Sequence, residues 1–281
     1  MEPMPQSNPA LRDALGALHA PADGTARIVS LVPSLTELLF ALGLGSQVVG
    51  RTGFCTHPKP AVRRVPKVGG TKDFDLEKIR ALEATHLIVN IDENPKPLVD
   101  AAARIVPNVI VTHPMGPLDN PALYRLFGGV FRRETEAQSL ATAFEQAYRD
   151  ALESTAGLAR ERVLYLIWKD PWMTISRDTY IARTLAAVGW DQIEVPGNER
   201  YPAIDLVAAL GKTDRVLLSS EPYAFRRRDV DEVSQIEHAQ SAVPGHALSA
   251  ATVSLIDAEM TSWYGNRAIQ GLAYLSHLRL A

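Results

Sequence analysis

Cys55 and His57 stand two residues apart in the stretch Phe54-Cys55-Thr56-His57-Pro58. In extended backbone, residues i and i+2 face the same way, so this thiol and imidazole could share a soft or borderline metal such as cobalt or iron. Two ligands make an incomplete site, and a lone cysteine is equally a small buried apolar residue or part of the lining of a ligand cavity. Aromatic rings offer a second chemistry. Trp168, Trp172, Tyr201, Tyr223, Phe225, Trp263 and Tyr264 fall at predicted strand ends or in the loops that follow, in a chain that is only 7% aromatic. Rings gathered at strand ends make a stacking surface for a large flat ligand. Trp168 also reads as packing, and Trp190 reads as core. Asp170, Glu221 and Arg267 lie among the rings and supply hydrogen bonds to a polar ligand rim.

The elements that position these residues follow from apolar runs and their punctuation. Residues 28–32 form a short continuous apolar run of the kind a buried parallel strand shows, stopped by Pro33, which has no ladder donor. Ser34 and Glu37 have the spacing of a capping box. Leu35, Leu38, Leu39 and Leu42 follow at helical spacing, and Gly43 sits where a helix ends left-handed. A second strand over 47–51 leads into the Phe54–His57 loop. Ligands of open α/β sheets bind outside the carboxyl ends of strands, so the Pro33 and Phe54–His57 loops belong to one rim. A helix over 75–82, a strand over 85–90 and another over 108–112 add Glu93, Asn94 and His113 to that rim. Residues 134–154 then carry apolar side chains at helical spacing, which predicts one helix of about 30 Å. Strands over 163–168, 215–219 and 253–256 follow, with a helix over 178–188 capped by Asp178 and a closing helix marked by Ile269, Leu272 and Leu275.

Composition bounds the function. With 281 residues, 46% hydrophobic positions and a net charge of −3, the chain is long enough for two cored lobes and has no basic face for nucleic acid. The run Arg226–Arg228 reads as solvated surface. One cysteine permits no intrachain disulfide. Residues 1–26 lack a basic n-region, and Arg12, Asp13, Gly16 and His19 interrupt any apolar segment, so no secretory signal is expected and a cytoplasmic location stays open. No apolar run approaches the roughly 20 residues that span a bilayer. His86 reads as a strand residue, and His19, His238, His246 and His277 as surface or loop positions without a role.

The fold class this predicts is α/β: an extension over 1–26, a first lobe over 27–130, one connecting helix over 131–160, and a second lobe over 161–281. The plan and several motifs resemble the helical-backbone metal-chelate receptors, the periplasmic-binding-protein-like substrate-binding proteins of ABC importers for cobalamin, haem and siderophores. The matching motifs are SLVPSLTELLFALG, GRTGFCTHP, VGGTKDFDLEKIRAL, DPWMTISRDTYIARTLAAVG and RYPAIDLVAAL, and they are most similar to the cobalamin-binding members. The resemblance implies a ligand held between the lobes, with Pro33 and Phe54 on the first lobe and Pro171, Trp172, Met173 and Tyr201 on the second. It implies that Glu77 docks on permease arginines. Val207 stands at the second docking position with Asp205 nearby, which weakens that docking. Two first-lobe tryptophans of the family correspond to Thr71 and Ile91.

The expected function is therefore that of a substrate-binding protein for a cobalamin-like, haem or other metal-chelate ligand. No catalysis and no required cofactor are expected, and the protein should be a monomer that does not span a membrane and works with a possible ABC permease. A corrin offers amide side chains and a porphyrin offers carboxylates, so one arginine among carboxylates suits the corrin slightly better. The rival expectations are a cytosolic corrinoid-, haem- or metal-handling protein or enzyme using Cys55 and His57, and a scaffold lobe that binds a partner and no small molecule. The resemblance implies a periplasmic or surface-anchored location.

Overall fold

The computed structural model describes residues 11–241 and 251–280, so His246 lies outside the described residues. The chain divides into two compact units. The first comprises the chain up to Pro114, Asp119–Phe144 and Tyr264–Asn266; the second comprises Met115–Leu118, Glu145–Trp263 and the chain from Arg267 onward.

The first unit carries strands and helices in alternation: β1 (Ile28–Ser30), α1 (Pro33–Ala41), β2 (Val48–Arg51), α2 (Leu76–Ala81), β3 (His86–Asn90), α3 (Lys96–Ala102), β4 (Asn108–Thr112), α4 (Asn120–Phe131) and the start of α5 (Glu134–Thr155). The strands form a parallel sheet in the order β2-β1-β3-β4, with Val29 opposite Leu87 and Leu87 opposite Val109. Short parallel strands covered on both faces need apolar residues at nearly every position, which is why β1 and β3 are buried throughout. One cluster gathers Val29, Leu31, Val68, Phe74, Leu87 and Val89.

One expectation about a helix start is corrected. In α1, Pro33 occupies the first turn and Val32 is the N-cap without a side-chain bond, so Ser34 and Glu37 form no capping box. Proline's fixed φ begins the helix before Ser34, which lies buried in its first turn. In α2, by contrast, Asp75 caps as a side chain should, accepting from Glu77 N at 3.0 Å and Lys78 N at 3.1 Å.

The segment preceding β1 is built into the first unit. Asp13 lies buried with its carboxylate accepting from Leu15 N and Ala17 N, each at 2.9 Å, and from Val111 N at 3.2 Å. Ala14 N donates to Val111 O at 2.9 Å, so this segment covers the outer edge of β4 and satisfies backbone groups an open edge would expose. His19 lies in a loop, one of the two placements expected, with its side chain 9% exposed and 3.2 Å from Asp13.

His86 is buried on β3 with its ring edge-on to Phe131 at 5.1 Å. Burial, and secondarily His19, push its pKa below the ordinary 6.5. A histidine kept neutral in the fold binds fewer protons than the unfolded chain, so its contribution to stability is present above about pH 6.5 and is lost as pH falls through the depressed folded value. Melting temperature should therefore decline from pH 7 to pH 5, and His86→Gln should flatten that decline. An identical slope in parent and variant would refute the assignment.

The second unit contains the rest of α5, then β5 (Glu161–Trp168), β6 (Met173–Thr174), α6 (Tyr180–Ala186), β7 (Trp190–Gln192), α7 (Leu206–Leu210), β8 (Arg215–Ser219), α8 (Arg227–Ser241), β9 (Thr252–Ile256), α9 (Glu259–Ser262) and α10 (Arg267–Leu280). Its sheet runs β6-β5-β8-β9, with β7 also paired to β5, and only β6 is antiparallel. Leu164, Leu166, Val216, Leu218 and Val233 form its core with Phe225. Trp190 is fully buried, as expected, and donates to Glu161 at 3.1 Å. Glu161 also accepts from Arg215 at 2.7 Å and Arg279 at 2.6 Å, tying β7, β8 and α10 to β5.

Here too a cap is corrected. Thr179, not Asp178, caps α6, its hydroxyl accepting from Ala182 N at 3.2 Å. Arg226–Arg228, read as solvated surface, stand at the start of α8, where Arg226 N donates to Asp229 at 2.8 Å. Among the described residues no helix is long and apolar enough to cross a membrane.

Candidate ligand site

In the first unit the loops after β1, β2, β3 and β4 gather at the carboxyl edge of the sheet. Phe54 projects from the loop after β2 and is 63% exposed, a large apolar ring left in water beside Gly70. Pro33 is half-buried at the head of α1. After β3 the chain makes a side-chain-locked turn: Asn90 Oδ1 accepts from Asp92 N at 2.8 Å and Glu93 N at 3.3 Å. Asn94 Oδ1 in turn accepts from Asn90 N at 2.8 Å, and its amide donates to Thr71 O at 3.0 Å. Asn94 is thus buried and shapes the rim. Tyr264, which belongs to this unit, donates to Glu93 Oε1 at 2.6 Å, and burial next to that carboxylate holds its phenol well above the ordinary 10. His113 lies 3.4 Å from Asp92.

Cys55 and His57 part company. Cys55 is 1% exposed, its sulfur 3.1 Å from Thr36 Oγ1 and 3.2 Å from Thr52 Oγ1, while His57 is half-buried at the loop surface. Burial pushes the thiol up from its ordinary 9.0, and hydrogen bonds from Thr36 and Thr52 pull back less. The buried Arg51 guanidinium donates to Thr52 O, Cys55 O and Val62 O, which fixes the loop from beneath and keeps Cys55 inside. Among the described residues no three His, Cys, Asp or Glu side chains gather to hold a metal. Ligation and nucleophilic attack both need the thiolate, the form that this burial disfavours. Thiol reagents such as dithiobis(nitrobenzoate) should leave Cys55 unmodified in the native protein at pH 8 and label it fully in denaturant. Rapid native labelling would overturn its place in the core.

In the second unit four of the rings expected from sequence come together as a ladder at the carboxyl ends of β5 and β8. Trp168 meets Tyr223 edge-on at 5.7 Å, Tyr223 meets Phe225 at 4.6 Å, and Phe225 stacks on Trp172 at 6.1 Å with ring planes 3° apart. Trp168 is 40% exposed, so the ladder opens outward at one end and roots in the core at Phe225. Lys169 lies over Trp172 at 5.5 Å while paired to Glu232 at 2.5 Å and Asp229 at 3.2 Å. Sequence reasoning missed this lysine, whose partners stand about sixty residues further along the chain. Tyr201 is 39% exposed under the Arg200 guanidinium, and Asp170 is exposed with φ of 61°.

Glu221, Trp263 and Arg267 form a second group in this unit. Trp263 Nε1 donates to Glu221 at 3.0 Å, and Arg267 lies over the Trp263 ring while paired to Glu259 at 3.1 Å. Burial raises the Glu221 carboxyl above its ordinary 4.5, with Asp257 and Glu259 adding to the rise against the bond from Trp263. Trp263 and Arg267 are buried, so they brace Glu221 more than they offer surface.

The residues implied for permease docking are placed as follows. Glu77, in the first turn of α2, is exposed and paired to Arg80 at 3.2 Å. Val207 on α7 is 51% exposed, and Asp205 is spent as the N-cap of α7, accepting from Ala208 N.

The model of the family described as periplasmic binding protein matches residues 28–216. The vitamin B12-binding protein of Yersinia pestis (strain Pestoides F) is 24% identical over 253 residues, covering 88% of this chain and 86% of that one. The crystal structure of the periplasmic vitamin B12-binding protein of Vibrio cholerae superposes with a TM-score of 0.74 at 18% identity, over 91% of this chain and 97% of that one. A periplasmic haem-binding protein from Pseudomonas aeruginosa gives a TM-score of 0.75 at 20% identity, over 90% and 92% of the two chains.

Proposed function

Because the chain belongs to the periplasmic binding protein family, we propose that it is a substrate-binding protein for a corrinoid, which it passes to an ABC-type permease without chemical change. The observation that carries this reading is the aromatic ladder of Trp168, Tyr223, Phe225 and Trp172, four rings in successive edge-on, tilted and stacked contact, open to water at Trp168 and rooted in the core at Phe225. The exposed Phe54 ring gives the first lobe an aromatic of its own. Stacking and apolar burial on such rings supply affinity for a macrocycle face.

Charge supports a corrin over a porphyrin. Lys169 and Arg267, two of the cations beside the second-lobe rings, are already paired to Asp229, Glu232 and Glu259, and Arg200 lies over Tyr201. Recruiting Lys169 and Arg267 to two propionates would break those pairs, whereas corrin amides can bond to the rim as it stands. The relatives named for vitamin B12 agree with this choice. No catalytic role is part of this reading, and Cys55 is buried.

Calorimetric titration with cyanocobalamin and with haemin tests the proposal. Cyanocobalamin should bind with micromolar or better affinity, about 8 kcal/mol, and raise the melting temperature, while haemin binds more weakly. Absence of heat and of thermal protection with both ligands would end this reading; tighter binding of haemin would replace the corrin with a porphyrin.

A further inference from the structure

The second unit contains a pocket that the aromatic rim does not use. It is an open depression of about 520 Å³, lined by Arg162, Arg177 and Lys212 together with Glu194, over an apolar floor that includes Ile193 and Val195. Arg162 lies near the start of β5 and Lys212 in the turn leading into β8, while Ile193, Glu194 and Val195 follow the carboxyl end of β7, so the pocket lies beside β7 near the amino ends of β5 and β8. Six residues of strand separate Arg162 from Trp168, roughly 20 Å at 3.3 Å per residue, and none of the four ladder rings lines the pocket.

Its three cations differ in how far their charge is used. Arg162 is held in a two-point pair with Asp214, at 2.9 and 2.5 Å, and serves as a neutralised wall. Arg177 is anchored by donating Nε to Gln192 O at 2.8 Å, and reaches Glu194 only at 3.8 Å between exposed side chains. Lys212 is exposed and has no ion-pair partner among the described residues. A volume of this size over an apolar floor, with an ammonium and a loosely paired guanidinium at its wall, fits an anion with an apolar body. We propose that the second lobe carries a second site here, for a small amphipathic organic anion, a carboxylate or sulfonate on an apolar skeleton, held by Lys212 and Arg177. A bare inorganic anion would leave the floor uncovered, and a neutral apolar molecule would leave the two charges unmatched.

The probe for the test is 1-anilinonaphthalene-8-sulfonate, with uncharged N-phenyl-1-naphthylamine as the matched control, in fluorescence titrations of the full chain. The sulfonate should bind at one site, at least tenfold tighter than the neutral probe, and more weakly as salt is raised. Lys212→Ala and Arg177→Ala should each weaken it about fivefold, and the double variant more than tenfold. Lys212→Arg should stay within twofold of the parent, and Trp168→Ala should leave the affinity unchanged. Equal binding of the two probes, an unchanged double variant, or loss of binding in Trp168→Ala would overturn the proposal, the last by placing the probe on the aromatic rim. Cyanocobalamin titrations of the Lys212 and Arg177 variants should match the parent, so the two sites stand or fall separately.

Discussion

Trp172→Ala should lower both ligand affinity and fold stability, whereas Phe54→Ala should lower affinity alone. From sequence both rings are expected at the ligand. The structure separates them: Phe54 is 63% exposed, while Trp172 stacks on the buried Phe225 and packs against the core of its unit. Removing a partly buried tryptophan leaves a cavity and costs about 2–3 kcal/mol, toward the low end for large-to-small changes because part of the ring already faces water. The lost stacking should weaken corrinoid binding by a further 1–3 kcal/mol or so. An exposed ring contributes little to folding, so Phe54→Ala should leave stability within about 0.5 kcal/mol while costing 1–3 kcal/mol of binding. Urea melts paired with calorimetry measure both quantities. A Phe54→Ala protein that melts early yet binds at full strength would invert the assignment.

Asp13→Ala should destabilise the first unit by about 3 kcal/mol. Its buried carboxylate serves the amides of Leu15, Ala17 and Val111, and all three lose their acceptor together. A hydrogen bond to a charged group contributes about 1.5–3 kcal/mol, and the three are not additive because the segment relaxes once released. Asp13→Asn keeps one acceptor oxygen and should fall between parent and alanine variant. Hydrogen exchange at Val111 should accelerate in step with the loss. A change below about 0.5 kcal/mol in Asp13→Ala would mean that the segment over residues 11–26 rests on the sheet without holding it.

The strands were the most legible part of the fold. Residues 108–112 and 215–219 match β4 and β8 end to end, because a buried parallel strand is a continuous apolar run bounded by polar residues. Helix starts were misread where a neighbouring residue set the start instead, as with Pro33 ahead of Ser34 and Thr179 after Asp178. The helix α4 carried no readable signal: Gly128 and Gly129 look like breakers, and the helix is buried nearly all round. Those glycines are there for space. A Cβ on Gly128 would come within 2.5 Å of Ala137, and one on Gly129 within 2.5 Å of Leu11. At the candidate site the ring types were legible, but their order in the ladder was not. Nor were the Lys169 pairs and the Asp13 bonds to Val111, which join residues sixty or more apart in the chain.

The chain trades segments between its units as it runs. Leu118 and Asp119 fall on opposite sides of the division, as do Phe144 and Glu145 within α5, and Tyr264–Asn266 return to the first unit after more than a hundred residues in the second. That returning tripeptide is engaged on both sides of Gly265, whose N–H donates to Asn120 at 2.7 Å and whose carbonyl accepts from Tyr124 at 2.9 Å. A gene cut after codon 144 would therefore not yield a self-sufficient half. Recombination that swaps one lobe for a homologue's would have to carry this tripeptide with the first lobe to keep its bonds to Asn120 and Tyr124, so ligand specificity in this lineage is expected to change by point substitution at the rims and not by exchange of modules.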